Sequence, residues 1–220
     1  MIVVIQCAAR KRPDAGFLRD GNGTRVLFVA DPDKAPPTVE CRYARPDDLS
    51  ENGVSWRETL LQYNQTPAKN PLNLCPAYRL YENEIYRRLV DQLGIRKTYV
   101  LSAGWGLINA SFLTPNYDIT FSPSAEPYKR RKKASTYHDL RMLPDDIDER
   151  IIFFGGKDYV PLFCTLTRSV RSAKTIFYNS ESRPEAPGYS LERFLTTTRT
   201  NWQYECANAF LDGKISSAAP

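Results

Sequence analysis

The sequence predicts an α/β fold: a single domain with a mostly parallel central sheet and helices on both faces. Short apolar or β-branched runs at 2–5, 26–30, 98–102, 151–154 and 175–178 have the length of strands. Several are apolar at almost every position, the pattern of strands covered on both faces, as parallel strands between helices are. With 220 residues, 42% of them apolar, the chain can bury one substantial core.

Taken in order, 2–5 is the first strand and 26–30 the second. Residues 31–74 are polar and proline-rich, read as a long excursion over the core with one weak strand near 39–43 and a short amphipathic helix near 56–63. Residues 76–93 form the clearest helix, with Pro76 in the first turn, Tyr78, Tyr81, Ile85, Leu89 and Leu93 at helical spacing, and Gly94 as a stop. It feeds the strand at 98–102. The strand at 151–154 passes through Gly155-Gly156 into a helix carrying Tyr159, Leu162, Phe163, Leu166 and Val170. A basic loop at 123–136 precedes that unit, and a loop at 180–198 precedes a last helix at 199–212. The final Ser-Ser-Ala-Ala-Pro reads as a frayed tail.

Composition narrows the function. No run approaches a membrane span, and the apolar start is too short for a signal-peptide core, so no membrane partner is expected. Five widely spaced cysteines without C-x-x-C suggest neither a disulfide framework nor a zinc ribbon, and suit a reducing cytoplasm. The formal charge of +5 is unevenly spread, with Lys129, Arg130, Arg131, Lys132 and Lys133 consecutive. Such a run is either a solvated loop or a phosphate-binding patch.

In an open α/β sheet ligands bind beyond the carboxyl ends of the strands. Those ends hold Cys7, Arg10 and Lys11; Ser-Ala-Gly104-Trp105-Gly; Gly155, Gly156, Lys157, Asp158 and Tyr159; and Asn179 to Arg183. Glycines after strands often serve only the turn. Neither glycine loop fits a dinucleotide fingerprint or a P-loop, and His138 is the only histidine, so no cofactor or metal is expected. A set of Lys, Asp, Asn, Tyr and Trp suits hydrolysis at a sugar carbon. An oxocarbenium-like state needs a carboxylate, Asp118 or Asp158, and donors to the departing base, Lys11 or Asn179. Trp105, Tyr117 and Tyr159 could stack on a flipped base, although plain packing is the alternative for each.

The ordered set Cys-Ala-Ala-Arg-Lys, Leu-Ser-Ala-Gly-Trp-Gly-Leu followed by Asn-Tyr-Asp, and Phe-Phe-Gly-Gly-Lys-Asp-Tyr resembles the YaaA-like superfamily of peroxide-stress proteins and smaller relatives. The resemblance covers about 1–11 and 75–180 and maps the family pattern onto Cys7, Lys11, residues 101–107, Tyr117 and Asp118. It implies DNA as partner and an arrangement similar to uracil-DNA glycosylases. The histidine motif of those enzymes is replaced by Asn-Ser-Glu-Ser-Arg at 179–183, a departure pointing away from unmodified uracil.

The reading that follows is a DNA glycosylase-like hydrolase acting on a modified base by base flipping, in the setting of antiviral defence. Asp118, Asp158, Lys11 and Asn179 carry the chemistry, and Cys7, Gly104, Trp105, Tyr117, Gly155, Gly156 and Tyr159 form the base pocket. Arg10, residues 129–133, His138, Lys157 and Arg183 bind DNA. A non-catalytic DNA-binding protein, or a base transglycosylase or accessory subunit, remains the alternative.

Overall fold

The computed structural model describes residues 1–132 and 134–215, so Lys133 and the tail expected to fray lie outside the described residues. The strands are β1 (Ile2–Gln6), β2 (Leu18–Arg19), β3 (Arg25–Val29), β4 (Cys41–Ala44), β5 (Cys75–Pro76), β6 (Thr98–Ser102), β7 (Gly106–Asn109), β8 (Leu113–Thr114), β9 (Tyr117–Asp118), β10 (Leu140–Arg141), β11 (Ile151–Phe154), β12 (Lys174–Tyr178) and β13 (Ser190–Arg193). The α-helices are α1 (Trp56–Tyr63), α2 (Ala77–Leu80), α3 (Ile85–Leu93), α4 (Val160–Thr167) and α5 (Trp202–Leu211).

The main sheet has the order β10-β7-β6-β1-β11-β12-β13. Every pairing in it is parallel except β6 with β7. Strand alternation shows how its faces are covered. Phe153 stacks on Phe163 of α4 at 4.4 Å, whereas the next residue, Phe154, meets Phe210 of α5 at 5.5 Å. Helices therefore cover opposite faces, and the central strands β1, β6 and β11 are buried almost throughout and largely apolar because neither face meets water. Four strands expected from the sequence, β1, β6, β11 and β12, lie side by side and parallel.

Three expectations are corrected. The run at 26–30 is a strand, but it belongs to a second, smaller sheet in which β3 pairs with β2, β4 and β9. The helix expected over 76–93 is broken. Cys75–Pro76 pairs with β8, and Tyr81 leaves helical geometry to bridge Lys11. The segment after β1 takes its hydrogen bonds there, from Arg12 N–H to the Leu80 carbonyl and from Glu82 N–H to the Arg10 carbonyl. The Asn83 side chain then accepts from Ile85 N–H at 2.9 Å as α3 starts.

The third correction concerns residues 103–105. Expected as a strand end that opens a ligand pocket, they instead turn the chain straight back, pairing Ser102 with Gly106 in an antiparallel hairpin. Gly106 has φ of +90°, and a Cβ there would meet the Leu140 carbonyl oxygen at 2.5 Å, so glycine is required. Ser102 Oγ accepts from the N–H groups of Gly104 and Trp105 at 3.2 and 3.1 Å. The carbonyls of Ala103, Gly104 and Trp105 all accept from guanidinium groups: Arg131 to Ala103 at 2.8 Å, and Arg57 to Gly104 at 3.0 Å and to Trp105 at 3.1 Å.

Both arginines are buried, Arg57 3% and Arg131 6% exposed. Each has a carboxylate partner, Asp47 at 2.6 Å for Arg57 and Asp139 at 2.6 Å for Arg131. The excursion at 31–74, through Asp47 and Arg57, and the basic loop, through Arg131, are thus both fastened to one hairpin of the main sheet. Removing one partner of a buried pair leaves a charge without solvent, at a cost of about 3–5 kcal/mol. Arg131→Met is accordingly expected to lower unfolding free energy by about that amount in urea titration, while a loss below about 1 kcal/mol, the scale of a surface pair, would contradict this account.

Candidate functional site

A cavity of about 310 Å³ opens beyond the carboxyl ends of β1 and β11. This is where the strand order reverses: the chain goes from β1 to β6 on one side and later to β11 on the other. Such switch points are where open α/β sheets bind ligands. The volume lies at the lower end of the range of about 300–1,000 Å³ usual for small-molecule clefts. Of the expected residues, Cys7, Lys11, Asp118, Gly156, Asp158 and Tyr159 line it together.

Each is placed by its element. Cys7 and Lys11 follow β1; Cys7 Sγ lies 3.4 Å from the Tyr159 hydroxyl and accepts from Ala103 N–H at 3.5 Å. Lys11, half-buried, donates to the Ala8 and Ala9 carbonyls at 3.3 Å, and its ammonium sits 4.1 Å over the Tyr117 ring. Burial pushes its pKa down, against the nearby Cys7 and Asp118. Asp118, at the end of β9, bonds Lys129 at 2.8 Å, and Lys129 also bonds Glu126 at 2.6 Å. Partial burial alone would lower the Lys129 pKa, but these hydrogen bonds raise it. Gly156 N–H donates to Gln6 Oε1 at 2.6 Å, joining β1 and β11 at the rim.

Other expected residues do not line the cavity. Trp105, read as a pocket wall, is 0% exposed and packs edge-on against Phe28 at 4.9 Å and Tyr117 at 6.4 Å, because the hairpin points it toward the second sheet. Gly104 lies buried in the same loop. Tyr117 is buried too. β-strand alternation sends it inward while Asp118 reaches the cavity, so the two act from opposite faces of β9. Gly155 is a packing residue, since a Cβ there would strike the Phe153 ring. Asn179 follows β12, one strand farther out, and its amide points to the Thr198 carbonyl at 3.5 Å.

The basic run is not one charged patch. Lys129 and Arg131 are held by the acids described above, Arg130 and Lys132 are exposed, and Lys133 lies outside the described residues. His138 is 86% exposed beside Asp47, away from the cavity. Arg10, Lys157 and Arg183 are exposed on the loops after β1, β11 and β12. Arg199, exposed before α5, lines the cavity and escaped the sequence reading, as did Gln6, Thr120, Asn201, Gln203 and Tyr204. Only Asn201 left a local signal: it starts α5 from a left-handed conformation, φ +61°, which asparagine tolerates.

Among the described residues no group of three His, Cys, Asp or Glu side chains is arranged to hold a metal, and no helix is long and apolar enough to cross a membrane. No family model, curated protein or solved structure matches the chain.

Beneath the cavity buried tyrosine hydroxyls each find a hydrogen-bond partner. Tyr117 meets Ser102 Oγ at 2.9 Å and the Tyr81 hydroxyl at 2.8 Å, while Tyr86 donates to the Gln6 carbonyl at 2.8 Å. Burial raises Tyr81, Tyr86, Tyr117 and Tyr159 well above the ordinary value. A raised folded-state pKa gives stability that is whole below about pH 10 and is lost as pH rises beyond it. In an alkaline titration these four of the 13 tyrosines should ionise only with loss of near-ultraviolet circular dichroism. Reversible ionisation of all 13 in the folded protein would contradict the burial of these four.

Proposed function

We propose that the protein is a DNA glycosylase-like hydrolase that receives a modified base and its deoxyribose in the cavity and leaves an abasic site. The observation that carries this reading is the gathering of two carboxylates, Asp118 and Asp158, with Lys11 and the Gly156 loop at the switch point of the sheet. An oxocarbenium-like state at C1′ is stabilised by a nearby carboxylate, which also directs water. The departing base takes up negative charge, which Lys11 is placed to receive.

Asn179 and Trp105 have no part in this reading. Tyr159 is the aromatic ring of the wall, braced edge-on by Phe121 at 5.0 Å. Reaching such a pocket requires a base flipped from the duplex. Arg10, Lys157, Arg183 and Arg199, on the loops around the opening, are the phosphate contacts, with Arg130 and Lys132 as the exposed remainder of the basic run. A setting of defence against phage DNA with modified, for example glucosylated, cytosines suits the activity.

The test is incubation with plain and modified phage DNA, followed by alkaline cleavage at abasic sites. Modified DNA should be cut, and Asp118→Asn or Asp158→Asn should slow abasic-site formation by about 10²-fold or more if that carboxylate acts on sugar or water. Full rates in both variants would remove the carboxylates from the chemistry. Absence of abasic sites on every DNA, with affinity intact, would leave a DNA-binding protein. Alanine at Arg10, Lys157, Arg183 and Arg199 should reduce the slope of log affinity against log salt by about 0.9 for each phosphate no longer neutralised, and an unchanged slope would move the DNA elsewhere.

A further inference from the structure

We propose that Lys11 is an amine nucleophile toward C1′ of deoxyribose, so that the protein also cleaves the strand at an abasic site as a β-lyase. The inference rests on the reading of the cavity as a deoxyribose site.

The two lysines nearest Asp118 differ in their partners. Lys129 holds both Asp118 and Glu126. Lys11 lines the cavity with no carboxylate in ion-pairing distance among the described residues; its contacts are two carbonyls at 3.3 Å and the face of Tyr117. Asp118 bonds Lys129 and acts on Lys11 only from beyond ion-pairing distance, so it opposes the effect of burial without pairing the amine. The backbone of Lys11 is pinned by its bridge to Tyr81, which fixes where the amine enters the cavity. Lysine attacks carbonyl carbon once its ammonium has given up a proton, and burial of Lys11 lowers the cost of that loss.

The step balances with water alone. The Lys11 nitrogen adds to the C1′ aldehyde of the opened abasic sugar, and loss of one water gives an iminium. A C2′ proton passes to a cavity carboxylate, Asp118 or Asp158, and its electron pair expels the phosphate at C3′, which leaves as the 5′-phosphate of the downstream strand. Water then hydrolyses the iminium, releasing the unsaturated aldehyde and restoring the amine.

The experiment uses the full chain and a duplex carrying one preformed abasic site, with sodium borohydride present to reduce the iminium to a stable amine. Peptide mapping should place the trapped adduct on Lys11, and without borohydride the strand should be cut 3′ to the site. Lys11→Arg, which keeps the positive charge, should retain affinity for this DNA yet lose both adduct and cleavage. Absence of an adduct on the wild-type protein, an adduct on another amine, or cleavage retained in the variant would each overturn the proposal. Because the abasic site is supplied, this outcome is independent of base excision: trapping without excision would strike only the proposed hydrolase, and excision without trapping only the lyase.

Discussion

Two buried guanidinium groups holding three consecutive carbonyls of one hairpin loop are the constraint on which the surrounding structure depends. Residues 103–105 end a central strand, and their carbonyls face protein rather than water. Arg57 and Arg131 satisfy them, and Asp47 and Asp139 neutralise the arginines. Such an arrangement is stable only when complete, because any missing member leaves a charge or a carbonyl buried alone. Its members come from the polar excursion, the main sheet and the basic loop, so it ties the excursion and the loop to the sheet.

That fastening also positions the cavity. Trp105 projects from the clamped loop between Phe28 of β3 and Tyr117 of β9, which seats the second sheet against the first. β9 pairs with β3 through Tyr117 and Asp118. With Tyr117 locked inward by Ser102 and Tyr81, strand alternation delivers Asp118 to the cavity opposite the loops of β1 and β11. The cavity wall therefore comes partly from the parallel sheet and partly from the second sheet, and α5 closes it with Asn201, Gln203 and Tyr204.

The charges within it are divided by pairing. Lys129 is held by two acids, which raise its pKa, whereas Lys11 has no carboxylate in ion-pairing distance among the described residues and burial lowers its pKa. Identical side chains thus differ in chemistry because one is given carboxylates and the other is not.

The sequence by itself determined the α/β class, strands β1, β6, β11 and β12, and the convergence of Cys7, Lys11, Gly156, Asp158 and Tyr159, because apolar runs, glycine turns and the rule for strand ends are local or topological signals. It also marked Asp118, through its place after Asn-Tyr. Only the tertiary structure decided that Gly104-Trp105-Gly106 is a hairpin turn rather than a pocket mouth, since the same glycines suit either. The fate of the basic run was equally non-local: Arg131 is buried because Asp139 and the Ala103 carbonyl await it, and nothing in five consecutive charges indicates which will find partners. Arg199, Gln203 and Tyr204 reach the cavity only because α5 packs across β11 and β12, a long-range packing that leaves no local pattern.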